Sequence, residues 1–246
     1  AYEPVNDDNV HRHYLDFFPS GGITYNLSPK NTFALNYSRR VNRPSYQDLN
    51  PFQNRLDELT YEQGNPFLRP EYANNLQLRH TFNHRFNTTL SYSHTQDQIT
   101  RFLDTAGTNA NYITWLNLAN QYAYSLAFSA PIQIRKWWGS FTNMTGSHVR
   151  NQADFGEGKT VALAATTFNI YSQHTFTLPK GWSAEVSGWY NAPSLWGGTF
   201  KMNAMWSMDM GIQKKIMKDK GNIKLGVSDI FKSNKWTGIS RFGALN

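Results

Sequence analysis

Between positions 40 and 63, Arg40, Arg43, Tyr46, Gln47, Arg55, Tyr61 and Gln63 offer the side chains best suited to holding a small polar ligand. A guanidinium presents a planar fork to carboxylate or phosphate, and Tyr and Gln hydrogen-bond sugars, peptides and chelates. The same stretch has a second reading. Arg39 or Arg40 can pair with Glu71, while Pro66 and Pro70 restrict Asn65 and Arg69 where the loop returns, so the stretch also reads as a device for folding a loop.

Other chemistry is thinner. His11 and His13 alternate beside Asp7 and Asp8, but no further group defines a ligand geometry, and no metal or cofactor is assigned. In SYSHTQDQ (91–98), Ser and His lack a third residue to orient a base, which leaves no nucleophilic machinery. His80, His84 and His94 read as wall residues facing a watery interior. GEGK (156–159) lacks the strand-to-helix context of a phosphate loop and reads as a loop tip. Nothing here points to an enzyme.

Composition says what kind of wall must carry these residues. Aromatics make up 15% of the 246 residues and charged residues only 17%, below the roughly 25% of an ordinary soluble domain. Neutral polar residues fill the difference, which suits a surface that is partly lipid and partly water. With no cysteine, disulfides and thiolate zinc sites are excluded. No run approaches the roughly 18 apolar residues of a spanning helix, and no signal peptide pattern opens the chain; a β-barrel needs no such helix.

The net charge of +7 raises nucleic acid as a partner, but its placement argues against one. Much of it falls in short connectors, SPKN (28–31), NHRF (83–86), IRKW (134–137), LPKG (178–181) and KKIMKDKG (214–221), and no helix or aromatic platform concentrates it.

Between these connectors the sequence alternates with period two. Phe33, Leu35 and Tyr37 oppose Thr32, Ala34, Asn36 and Ser38. Leu76, Leu78 and Phe82 oppose Gln77, Arg79 and Thr81, and Phe86, Leu90 and Tyr92 oppose Asn87, Thr89, Ser91 and Ser93. A longer segment, 113–134, sets Leu116, Leu118, Tyr122, Tyr124, Leu126 and Phe128 against Ala123, Ser125, Ala127 and Ser129. About ten antiparallel strands are expected. Short connectors, one of them spanning Pro131 to Lys136, take turns with long ones at 40–70, 104–111, 151–160 and 191–198. Short turns on one rim and long loops on the other describe an all-β, antiparallel transmembrane β-barrel of the outer membrane. Aromatics near strand ends, Phe17, Phe18, Tyr37, Phe82, Phe86, Trp137, Trp138, Trp182 and Trp236, fit headgroup girdles.

YSRRVNRPSYQDLNPF (37–52), followed by YEQGNPFLRPEY (61–72), resembles the C-terminal barrel of TonB-dependent outer-membrane receptors, in the barrel family common in Bacteroidetes. Tyr37, Ser38, Arg39, Arg40, Arg43, Pro44, Leu49, Asn50 and Pro51 carry the first motif. Gly64, Asn65, Pro66, Leu68, Pro70 and Glu71 carry the second, and VSDIFKSNKWTG (227–238) is similar to a strand and loop near the end of such barrels. The resemblance implies that residues 1–246 are the C-terminal portion of a larger, 22-stranded barrel, with the plug domain outside this chain. It implies energy-coupled uptake of a siderophore, vitamin, peptide or glycan at the outer membrane of a Gram-negative cell. Implied partners are the membrane lipid, a small nutrient, an inner-membrane energy-coupling protein reached through the plug, and a surface lipoprotein. A passive porin or adhesion barrel, and a soluble carbohydrate-binding β-sandwich, are the alternatives.

Overall fold

A computed structural model describes residues 15–105, 111–117, 120–154, 160–196, 200–218 and 220–240. Ten strands form one continuous antiparallel sheet in which every neighbour in space is also the next wall strand in sequence. They are β1 (Ser20–Ser28), β2 (Asn31–Asn42), β3 (Glu71–Phe82), β4 (Phe86–Gln96), β5 (Asn120–Arg135), β6 (Trp138–Asp154), β7 (Thr160–Leu178), β8 (Trp182–Asn191), β9 (Met205–Ile216) and β10 (Gly221–Val227). Hairpin order follows from the tight turns, where Asn83, His84, Lys180, Met217 and Lys218 adopt positive φ.

Register converts the period-two pattern into two chemically distinct faces. Ile23, Leu35, Leu78, Leu90, Leu126, Gly146 and Phe168 lie opposite one another across seven strands. On the other face Asn36, Gln77, Ser91, Ser125, Ser147 and Thr167 form the matching row. The apolar row crosses β2 four residues above Asn31 but β7 ten residues above Leu178. The row stays level over β2–β4 and steps up where β4 meets β5, since Leu90 is four residues from Phe86 and Leu126 nine from Arg135, a stagger of the kind that tilted barrel strands need.

Among the described residues nothing packs over the apolar face. Leu90 and Leu126 are each 55% exposed, and among the described residues the buried hydrophobic ones are Leu68, Ala130 and Ala192. A soluble two-sheet sandwich, which would bury that face in a second sheet, is thereby set aside. Rings bound the apolar band: Phe82 with Phe86 at 6.3 Å and Trp137 with Trp138 at 6.0 Å by the short turns, and Tyr92 with Tyr124 at 5.1 Å towards the long loops.

Three expectations need correction. His80 and His94 do not face the interior: parity places them with the apolar rows, where His80 stacks on Phe33 at 4.5 Å and His94 on Tyr122 at 4.6 Å. The segment 113–134 is not one strand. Asn111–Asn117 pairs with Ile99–Thr105 in a separate loop sheet, so the second long connector begins at 97 rather than 104. Pro131 belongs to β5 opposite Phe141, below the last β4–β5 rung at Asn87 and Ser129, where a missing N–H is tolerated. The turn itself is Lys136 and Trp137.

Candidate functional site

Two surfaces at the long-loop end present polar side chains: the inner face of β1–β5 and the loops above it. On the inner face, short polar side chains leave an open cavity of about 650 Å³. Asn36, Ser38, Arg40, Asn75, Gln77 and Ser93 line it, with Ser91 and Ser125 below. It exists because strand parity aims every second residue inward and many of those residues, Ser38, Ser91, Ser93, Ala123 and Ser125 among them, are small. Arg40 is the cation at its upper edge, opposite Ala73 and exposed.

Above the wall the loop from β2 to β3 folds into a knot. Ser45 caps the single helical turn Tyr46–Leu49: its hydroxyl accepts from the Asp48 N–H at 3.2 Å, and the Asp48 carboxylate accepts from the Ser45 N–H at 2.7 Å. The returning segment docks on that turn. The Gly64 N–H donates to the Asn50 carbonyl at 2.8 Å and the Asn65 N–H to the Asp48 carbonyl at 2.6 Å. A Cβ on Gly64 would sit 2.6 Å from the backbone of Asn50 and Asp48, so only glycine fits. The Asn65 carboxamide oxygen accepts from the Phe67 N–H at 2.9 Å, turning the chain at Pro66 and burying Leu68 completely.

This knot is tied to the second long loop. The Asn65 amide donates to the Trp115 carbonyl at 3.0 Å. Asn117 accepts from the Arg69 N–H and donates to the Arg69 carbonyl, each at 2.9 Å, and Arg69 pairs with Asp97. Short strands Asn54–Arg55, Thr60–Glu62, Asn111–Asn117 and Ile99–Thr105 form one four-stranded sheet across both loops, with Arg101 and Glu62 bridging at 3.1 Å.

The seven ligand candidates therefore separate. Arg40 faces the inner cavity, and Arg43, Tyr46 and Gln47 are exposed around the helical turn. Arg55 donates to the carbonyls of Asp57 at 3.0 Å and Glu58 at 3.4 Å. Gln63 donates to the Pro51 carbonyl and accepts from the Tyr112 hydroxyl. Tyr61 lies half-buried between Arg55 and Tyr112 in the loop sheet. Arg55 and Gln63 thus hold backbone. The Leu59 N–H, the Thr60 hydroxyl and Arg55 together hold the Asp57 carboxyl below its ordinary range, and burial pushes the Tyr112 phenol up.

Glu71 does not pair with Arg39 or Arg40. Its carboxylate accepts from Asn42 at 2.7 Å and from the Ile99 N–H at 2.9 Å, while the Arg39 guanidinium lies over the Tyr72 ring at 5.3 Å. Asn42 is the register partner of Glu71 and takes its carboxylate; Arg39 projects from the opposite face, and Arg40, on the same face as Glu71, stands opposite Ala73 instead. Ser93 and His94 likewise face opposite sides, and His94 bonds Asn120 at 2.8 Å. No metal-ligating cluster occurs among the described residues; His11, His13 and residues 156–159 lie outside them.

The sequence points to lumen-facing polar side chains in general as ligand contacts but singles out no residue of the inner polar row. Its signal was present as the polar half of each alternating strand, but register was needed to gather Asn36, Gln77 and Ser91 into one surface.

No curated protein matches the sequence. Among solved structures, the siderophore receptor PirA from Pseudomonas aeruginosa is similar over 88% of this chain and 39% of its own, with a TM-score of 0.65 at 16% identity. The ferric enterobactin receptor PfeA of the same organism, solved with BCV-L6 and, as a variant, with enterobactin, is similar over 88% of this chain and 35% of its own. TM-scores there are 0.59 and 0.58, at 14% identity. At such identities the likeness is one of fold, and the chain spans 35–39% of those receptor chains. The family model covers residues 2–246, and the chain belongs to the outer membrane protein beta-barrel family.

Proposed function

We propose that this chain is the C-terminal part of the wall of a larger, plug-closed barrel that imports a scarce nutrient across the outer membrane, driven through a TonB-type inner-membrane partner. The carrying observation is the pairing of an apolar outer face with a polar inner face whose cavity holds about 650 Å³. The similarity of its fold to siderophore receptors and the Gly64-to-Glu71 motif support the same reading. Binding and release of a polar cargo is the work assigned to the inner face, with no covalent step. Arg40 is the first ligand contact, joined by Gln77 and Asn36; Arg43, Tyr46 and Gln47 meet cargo or a surface lipoprotein from above. Siderophore, vitamin, peptide and glycan all suit such donors and acceptors.

The test is growth of a deletion strain on defined chelated iron, cobalamin, peptide or glycan sources. Loss on one source is expected, restored by the intact gene, and abolished again by collapsing the inner-membrane proton gradient. Arg40→Ala should raise the concentration needed by about tenfold, the loss of one charge-assisted contact. Growth defects indifferent to the gradient would favour a passive porin, and an unchanged nutrient range with lost adherence would favour an adhesion barrel.

A further inference from the structure

The charge of this protein is segregated by rim. All five short turns lie at one end of the wall, and their exposed cations are Lys30, Arg85, Lys136, Lys180, Lys218 and Lys220. The sequence places one acid in these connectors, Asp219, although Asp and Glu number 17 in all. At the other rim, Asp48, Asp57, Glu58, Glu62, Glu71 and Asp97 stand among the arginines. Both salt bridges formed among the described residues, Arg69 with Asp97 and Arg101 with Glu62, are there.

The basic rim is continuous with the lipid-facing surface. Trp137 in its turn, and Phe82 and Trp182 at the strand ends beside theirs, are exposed by 50%, 44% and 41%, at the level where aromatic rings meet headgroups. Lys214 shows how a cation is presented at that level. Its register partner is Trp182 on the outer face, its ammonium lies 5.1 Å from the centre of that ring, and it donates to the Lys180 carbonyl. An ammonium held over an outward-facing indole and beside a turn projects along the wall at headgroup depth, the geometry of a snorkelling lysine.

We propose that the short-turn rim is a docking surface for anionic phospholipid, with the phosphates of phosphatidylglycerol-type headgroups meeting Lys180, Lys214, Lys218 and Lys220. The rim then does more than sit in lipid: it selects lipid by charge in the leaflet that its turns enter. Cations on all five hairpins provide this contact around the wall, and the densest group lies at the β7–β8 and β9–β10 turns.

The intact protein is reconstituted in phosphatidylcholine vesicles containing an equal mole fraction of dibrominated phosphatidylglycerol or dibrominated phosphatidylcholine, and tryptophan quenching is compared. Bromine quenches on contact, and Trp137, Trp138 and Trp182 are at the rim. Phosphatidylglycerol is expected to associate about tenfold better, less than two lysines at an anionic surface can supply, and to lose that advantage at about 1 M salt. In the variant K180Q/K214Q/K218Q/K220Q the two lipids should quench alike. Equal quenching by both lipids in the unmodified protein at low salt overturns the proposal, as does a preference that survives salt or the substitutions. The salt arm needs no variant, so a folding failure of the variant leaves the proposal exposed to refutation. Equal quenching together with salt-sensitive retention of polyglutamate would assign the rim to an acidic polypeptide instead.

Discussion

Single residues decide whether the long loops are rigid. Gly64 is the strictest case, since a methyl group there meets backbone at 2.6 Å on three sides rather than a movable side chain. Gly64→Ala is expected to cost about 1–3 kcal/mol of local stability, the range for forced overpacking. Limited proteolysis should then cut within 43–70 while the wall stays protected; an unchanged digest would refute the knot. Asp229 plays a comparable part after β10. Burial would raise its carboxyl, but the N–H groups of Ser233 and Asn234 and the hydroxyls of Ser233 and Ser207 outweigh burial and lower it from 3.8. A carboxyl lowered in the folded state adds stability that is complete above its unfolded value and is lost as pH falls through the folded one. Residues 228–237 should therefore hold firm at neutral pH and loosen in acid below 3.8. The Ser233 hydroxyl donates to the Trp206 carbonyl at 3.0 Å and Phe231 packs 5.6 Å from the Trp206 ring, so tryptophan emission reports the change. Asp229→Asn should remove that acid transition; its persistence would place the titrating group elsewhere.

At the scale of strands, neighbouring residues carry opposite obligations. Leu126 points into lipid and Ser125, one position away, into the interior. Leu126→Arg is expected to destabilise the intact barrel by roughly 2–4 kcal/mol if it sits near the midplane, and Ser125→Arg by much less. Urea unfolding in vesicles measures both, and equal costs would contradict the facing. This parity was legible in the sequence, because local alternation is all that a wall strand needs. The loop sheet was not legible. Asn111–Asn117 alternates like a wall strand, and its different destination depends on Asn65 reaching Trp115 and Arg69 reaching Asn117, contacts that local periodicity cannot register. Likewise Arg55 and Gln63 have the composition of ligand readers, yet their polar atoms hold carbonyls nearby in the fold. Arg40 differs only in that parity and its place on β2 leave its head unclaimed by the knot.

Over the whole molecule the decisive fact is the pair of sheet edges. Among the described residues β1 pairs only with β2, and β10 only with β9, which leaves a row of backbone N–H and C=O groups along each. Each such group left unpaired in hydrocarbon costs several kcal/mol, and an open edge in water templates aggregation. The register row steps upward between β4 and β5 and reaches β7 well above its β2 level, so the sheet already has the stagger of a barrel wall while both edges remain unmatched among the described residues. Further strands meeting β1 and β10 resolve this, which is why the proposed receptor barrel is larger than ten strands. The 246-residue chain on its own should accordingly fail to give a compact, heat-modifiable monomer on unheated gels after refolding into detergent or vesicles, whereas the intact protein should give one. A heat-modifiable monomer from the chain alone would mean that β1 and β10 close on each other, and the larger wall would have to be abandoned.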